Sequence, residues 1–151
     1  MNYGVVLKKY IQAGNPNCSP RLLAALSKHK VDRIRLRVAE NPSTPEEVLT
    51  SLAYDRNPDV RVAVGVNPST PCSVSNSLAL DEDLNVRFGL AEDLSCPTEL
   101  LDKLLLDPNP YVSCRARQTK QLLLAEERVN NFDYHRFFRW CTDNDSGFSY
   151  A

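Results

Sequence analysis

The sequence has little of what a metal or catalytic centre is built from. Only two histidines occur, His29 and His135, and none of the five cysteines (Cys18, Cys72, Cys96, Cys114, Cys141) forms a C-x-x-C pair. A structural zinc site draws four such ligands from closely spaced groups, so no metal is expected. Five is also an odd number, and the spacing is irregular, which argues against a disulfide framework and for reduced thiols. Cys141 and His135 form the one conceivable nucleophile pair, but six residues apart on a helix they point to different sides. No acid pair, phosphate loop or oxyanion motif accompanies them. The expectation is a protein without cofactor and without catalysis.

Long apolar runs are missing too. The first fourteen residues, MNYGVVLKKYIQAG, hold neither the apolar core nor the small-residue cleavage site of a signal peptide, and no stretch approaches a membrane span. The expected location is cytoplasmic. Nor is there an excess of one charge. A net charge of −1 denies the chain the overall basic field of a nucleic-acid glove. What remains is ordinary for a soluble chain: 151 residues, 42% apolar and 25% charged, enough for one domain with a real core.

The strongest signal present is a repeat. Asn41-Pro42-Ser43-Thr44-Pro45 returns 26 residues later as Asn67-Pro68-Ser69-Thr70-Pro71. One step further lies Asp93-Leu94-Ser95-Cys96-Pro97, and one step back Asn15-Pro16-Asn17-Cys18. Ile34-Arg35, Val60-Arg61, Val86-Arg87 and Val112-Ser113 keep the same period, as do Leu26, Leu52, Leu78 and Leu104. A motif of this length in three equal steps marks a repeat architecture.

Each unit reads as two helices. Asn/Asp-x-Ser-x-Pro is turn and cap chemistry, with proline suited to a first helical turn. In the second unit a helix then runs from Glu46 to about Asp55, with Val48, Leu49, Leu52 and Ala53 on one face. Glu46 and Glu47 favour its positive end. Asn57-Pro58 stops it, and Asp59 to Val66 forms a second, shorter helical segment, of the α or the tighter 3₁₀ kind. Valine alternation over Val60–Val66 also suits a strand, but Val86–Glu92 and the Ala116-Arg117 region do not repeat that pattern, which favours helix. One such pair cannot bury its own apolar face, so neighbours must stack. The expected fold is all-α: a right-handed helical-repeat solenoid of about four 26-residue units, forming a single domain over 1–151. Residues 1–14 would cap one end, 15–120 carry the repeats, 121–141 form a C-terminal capping helix, and 142–151 a flexible tail.

Through Asn41, Pro42, Thr44, Pro45, Leu49, Leu52, Ala53, Asp55, Val60 and Arg61, and their counterparts from Asn67 onward, the chain resembles the leucine-rich repeat variant family of bacterial proteins. The resemblance covers about two-thirds of the sequence. It implies alternating α- and 3₁₀-helices in a right-handed superhelix without a sheet, and little about function. Members can carry an N-terminal cysteine cluster holding iron and sulfur. Here only Cys18 lies near the start, so that feature is not expected. The unit is also similar to a HEAT repeat, a class used for protein docking.

Three groups of residues are candidates for function. Arg35, Arg61 and Arg87 recur at one register position, each six residues after His29, Asp55 or Asp81. They read either as a phosphate-binding ladder or as structural arginine–aspartate joints between units. Leu36, Val62 and Phe88, with Cys114 at the end of the row, form an apolar line flanked by Glu40 and Glu92, which reads as a partner-binding stripe or as packing between units. The first unit, 15–40, stands at +4 while the next two stand at −2 and −3, so Arg33, Arg35 and Arg37 make a basic end. The functional expectation is a scaffold that binds a protein partner, with nucleic-acid binding through the basic unit and the arginine ladder as the alternative. The segment 132–151 holds seven of the twelve aromatics, fitting either a cap or a docking element.

Overall fold

The structure, a computed structural model, describes the backbone of residues 3–130 and side chains through Glu126. The chain divides into two compact units after Lys120, and the repeats lie in the first of them. All regular structure among the described residues is α-helical: α1 (Tyr3–Ala13), α2 (Pro20–Leu26), α3 (Asp32–Ala39), α4 (Glu46–Leu52), α5 (Pro58–Val66), α6 (Cys72–Leu78), α7 (Leu84–Glu92), α8 (Thr98–Leu104) and α9 (Pro110–Asn130). No described helix is long and apolar enough to cross a membrane.

The repeat is visible in the helix lengths. α2, α4, α6 and α8 are seven residues each, and α3, α5 and α7 are eight, nine and nine. The second helix of each unit is therefore the longer one, contrary to expectation, and of the two kinds left open it is α rather than 3₁₀. Pro58 at its first turn and an Asn57 side chain accepting from the Asp59 N–H start α5 cleanly, and Asp83 does the same for α7. The first helix is shorter than expected, ending at Leu52 and not near Asp55. Its last turn tightens into bonds from the Tyr54 and Asp55 N–H groups to Ser51 and Leu52, which frees Asp55 for another task.

Helices α1, α3, α5 and α7 pack each against the next, α2 and α4 contact the helices on both sides of them in sequence, and α6 and α8 pack on α5 and α7. Register explains the core between them. Ile34, Val60, Val86 and Val112 are fully buried, as are Val38, Val64, Leu90 and Ala116, and Leu26, Leu52, Leu78 and Leu104 nearly so. α5 and α7 approach so closely that glycine is required: a Cβ on Gly65 would collide with Leu90, and one on Gly89 would come within 2.8 Å of Val62.

The helix expected to begin near 121 has no separate start, because α9 runs on from Pro110. In the preceding units Asn41-Pro42, Asn67-Pro68 and Asp93-Leu94 end the second helix, and the equivalent residues here, Thr119-Lys120, hold no breaker. The rest of the expected cap, the tail 142–151, the aromatic run and the Cys141–His135 pair lie outside the described residues.

Candidate functional site

The asparagine of each turn was expected to cap a helix, and it does not. Pro45, Pro71 and Pro97 occupy the N-cap positions of α4, α6 and α8 without a side-chain bond. Asn41 instead turns its amide back one unit, donating to the carbonyls of Ala13 (2.7 Å) and Asn15 (2.8 Å). Asn67 does the same toward Ala39 (2.6 Å) and Asn41 (3.0 Å). Ser43 and Ser69 add bonds from their hydroxyls to the carbonyls of Pro16 and Pro42. Thr44 and Thr70 close the preceding helix by donating to Val38 and Val64. At the third joint Asp93 stands in register with these asparagines. A carboxylate has no proton to donate, so it accepts from the Ser95 N–H (2.7 Å) and the Ser95 hydroxyl instead. Ser95 is thereby turned from the Pro68 carbonyl, and the cross-unit asparagine bonds are missing there among the described residues.

The arginines form the joint on the opposite edge. Arg35 grips Asp55 bidentately (2.6 and 2.8 Å) and donates its third arm to the carbonyl of His29 (2.9 Å). Arg61 repeats this with Asp81 (2.8 and 2.9 Å) and the carbonyl of Asp55 (2.7 Å). Arg87 repeats it with Asp107 (2.7 and 3.4 Å) and the carbonyl of Asp81 (2.6 Å). The six-residue spacing thus marks a backbone contact, and the carboxylate comes from twenty residues ahead. This accounts for the irregular end units. Position 29 offers only its carbonyl to Arg35, so histidine serves, while Ser113 supplies no guanidinium for the Asp107 carbonyl, so the ladder ends at Arg87. The carboxyl of Asp55 feels burial, which raises its pKa, but the hydrogen bonds and charge of Arg35 outweigh this and leave it below the usual value. Its partner holds the Arg35 guanidinium above the ordinary value, and Asp81 does so for Arg61. These three arginines are committed to protein acceptors. Arg33 is exposed, and Arg37 pairs with Glu40 (2.7 Å) and covers the Tyr10 ring.

Leu36, Val62 and Phe88 share one outward side of α3, α5 and α7, and all three are half-buried, neither bare nor enclosed. Glu40 and Glu92 are exposed beside them. Two grooves meet at Leu36 and Glu40. One, of about 540 Å³, runs between α1 and α3, with Tyr3, Val6, Leu7 and Tyr10 on one wall and Arg33 and Arg37 on the rim. The other, of about 350 Å³, lies over α3 and α5, floored by Leu36, Val62, Ala63 and Val66 and rimmed by Glu40, Asp59 and Asp93. Glu92 faces Arg115 at 3.8 Å.

A second repeated apolar row was not foreseen. Tyr54, Leu80 and Leu106 share a register position in the turn between the helices of a unit and are 86%, 80% and 85% exposed. Their recurrence every 26 residues is legible in the sequence, but their exposure follows from the tight turn after α4, α6 and α8, which helical periodicity does not reveal.

Among the described residues the cysteines are unpaired and no cluster of histidine, cysteine and acidic residues could hold a metal. Cys18 and Cys96 are buried, and burial pushes the Cys96 thiol up to about 12, out of reach as a nucleophile. Comparison with protein-family models, curated proteins and solved structures finds no match to this chain.

Proposed function

We propose that this chain is a non-catalytic scaffold, a right-handed solenoid of the leucine-rich repeat variant or HEAT-like kind, that binds a protein partner through the exposed side of α3, α5 and α7. The observation that carries the reading is the meeting of two apolar grooves at Leu36 and Glu40, one of them continuing over Val62, with charged residues on their rims. A repeat scaffold presents the same helix of every unit to one surface, and an apolar centre with a polar rim is the anatomy of a docking site. The nucleic-acid alternative loses its ladder, since the guanidiniums of Arg35, Arg61 and Arg87 are held by aspartates, and is left with the other basic residues of the first unit, Arg33 and Arg37 among them.

Phe88 is the largest side chain of the row and is expected to dominate binding. Phe88→Ala should weaken partner affinity by about 2 kcal/mol or more while the melting temperature changes little. A stability loss of about 3–5 kcal/mol with unchanged affinity would make the row internal packing instead. Running the capture with and without nuclease decides between the two partner classes: a partner that vanishes on nuclease treatment sinks the protein reading.

A further inference from the structure

The groove over α3 and α5 has a charge pattern that selects its occupant. Its floor is apolar, its rim carries the carboxylates of Glu40, Asp59 and Asp93, and no basic side chain lines it. Arg37 holds Glu40 from one side only (2.7 Å), and the Asp59 carboxylate has no hydrogen-bond partner among the described residues. Asp93 is the informative member. The two preceding units place asparagine in this register, 3% and 6% exposed, and use its amide to join units. The groove is bordered by Asn67, which keeps those donors, and by Asp93 of the next joint, where the chain gives them up and presents a half-buried carboxylate. Departures from a locally consistent pattern that weaken the fold are where functional demands show.

We propose that this groove takes an amphipathic protein segment whose apolar side chains lie over Leu36, Val62 and Val66 and whose lysines or arginines meet Glu40, Asp59 and Asp93. The inference rests on the docking reading above and adds the sign of the partner. An anionic segment or a phosphate backbone brings like charge to this rim and is disfavoured there. A cationic one gains attraction that salt screens, because the rim is open to solvent.

The test uses two labelled helical peptides, one of leucine and lysine with leucines at i, i+3 and i+4, the other with every lysine exchanged for glutamate. Fluorescence anisotropy with the full chain should show the lysine peptide binding at least about tenfold more tightly at low salt, with the gap narrowing as salt rises. Asp59→Asn should weaken the lysine peptide roughly threefold without moving the melting temperature. Asp93→Asn should weaken it to a similar degree while raising the melting temperature, a combination that unfolding cannot produce. Equal affinity for both peptides, tighter binding of the glutamate peptide, or unchanged affinity in both variants overturns the proposal. If both peptides bind and both lose affinity on Phe88→Ala and Leu36→Ala, the docking face stands and the cationic partner falls. If binding ignores Phe88 and Leu36 altogether, or neither peptide binds, this proposal falls, and indifference to those two side chains removes the docking face with it.

Discussion

Exchanging Asn67 for aspartate is expected to remove about 3 kcal/mol of unfolding free energy, one of the two largest losses foreseen for a single substitution in this chain. The amide of Asn67 is buried and donates to two carbonyls of the preceding unit, Ala39 and Asn41. Aspartate keeps the shape and the bond from the Ser69 N–H, but it turns both donors into acceptors facing acceptors. Two bonds are lost and a charge is buried against carbonyl dipoles, each of which costs on the order of 1 kcal/mol or more. The opposite exchange at the third joint, Asp93→Asn, should add about 1–2 kcal/mol by offering an amide to the Gly65 and Asn67 carbonyls. Thermal or urea unfolding of the two variants checks both signs. An Asn67→Asp protein as stable as the natural one would show that the asparagine bonds do not hold the units together.

Arg61→Ala should cost about 3 kcal/mol. Removing one partner of a buried pair strands the other, and Asp81 is slightly more enclosed than Arg61. The loss sits at the low end for such pairs because Asp81 keeps the Asp83 N–H at 2.9 Å. Arg61→Lys should recover only part of it, since an ammonium cannot span two carboxylate oxygens and the Asp55 carbonyl together. One carboxylate of the ladder, Asp55, ties stability to pH. The folded pKa of Asp55 is depressed, so its stabilisation is complete above the unfolded value of about 3.9 and is lost as the pH falls through the folded value. The melting temperature should stay level down to about pH 5 and fall below about pH 4, less steeply in Arg35→Ala. The arginines do not titrate in this range.

The helices were legible in the sequence because burial recurs with the repeat: Ile34, Val60, Val86 and Val112 face inward for the same reason in every unit. The joints were not. Asn67 finds its acceptors 26 and 28 residues back, and Arg61 its carboxylate twenty residues ahead, so local turn and spacing rules point to the wrong partners. Cap chemistry misled for the same reason, since the polar side chain that suits an N-cap was already used between units. The continuity of α9 is legible once Thr119-Lys120 is aligned with Asn67-Pro68, because a helix ends only where something ends it. At the candidate site the row Leu36, Val62 and Phe88 was identifiable by register alone. The acidic rim was not, because Asp59 and Asp93 come from different register positions and meet only in space.

On the function proposed, a protein partner covers the exposed side of α3, α5 and α7. Hydroxyl-radical footprinting of the chain, alone and with the partner it captures from extract, reads this side chain by side chain. Leu36 and Phe88 should lose reactivity in the complex while Tyr54, Leu80 and Leu106 keep theirs. Protection of the Tyr54–Leu80–Leu106 row with Leu36 and Phe88 unchanged would contradict it and move the docking surface to the turns.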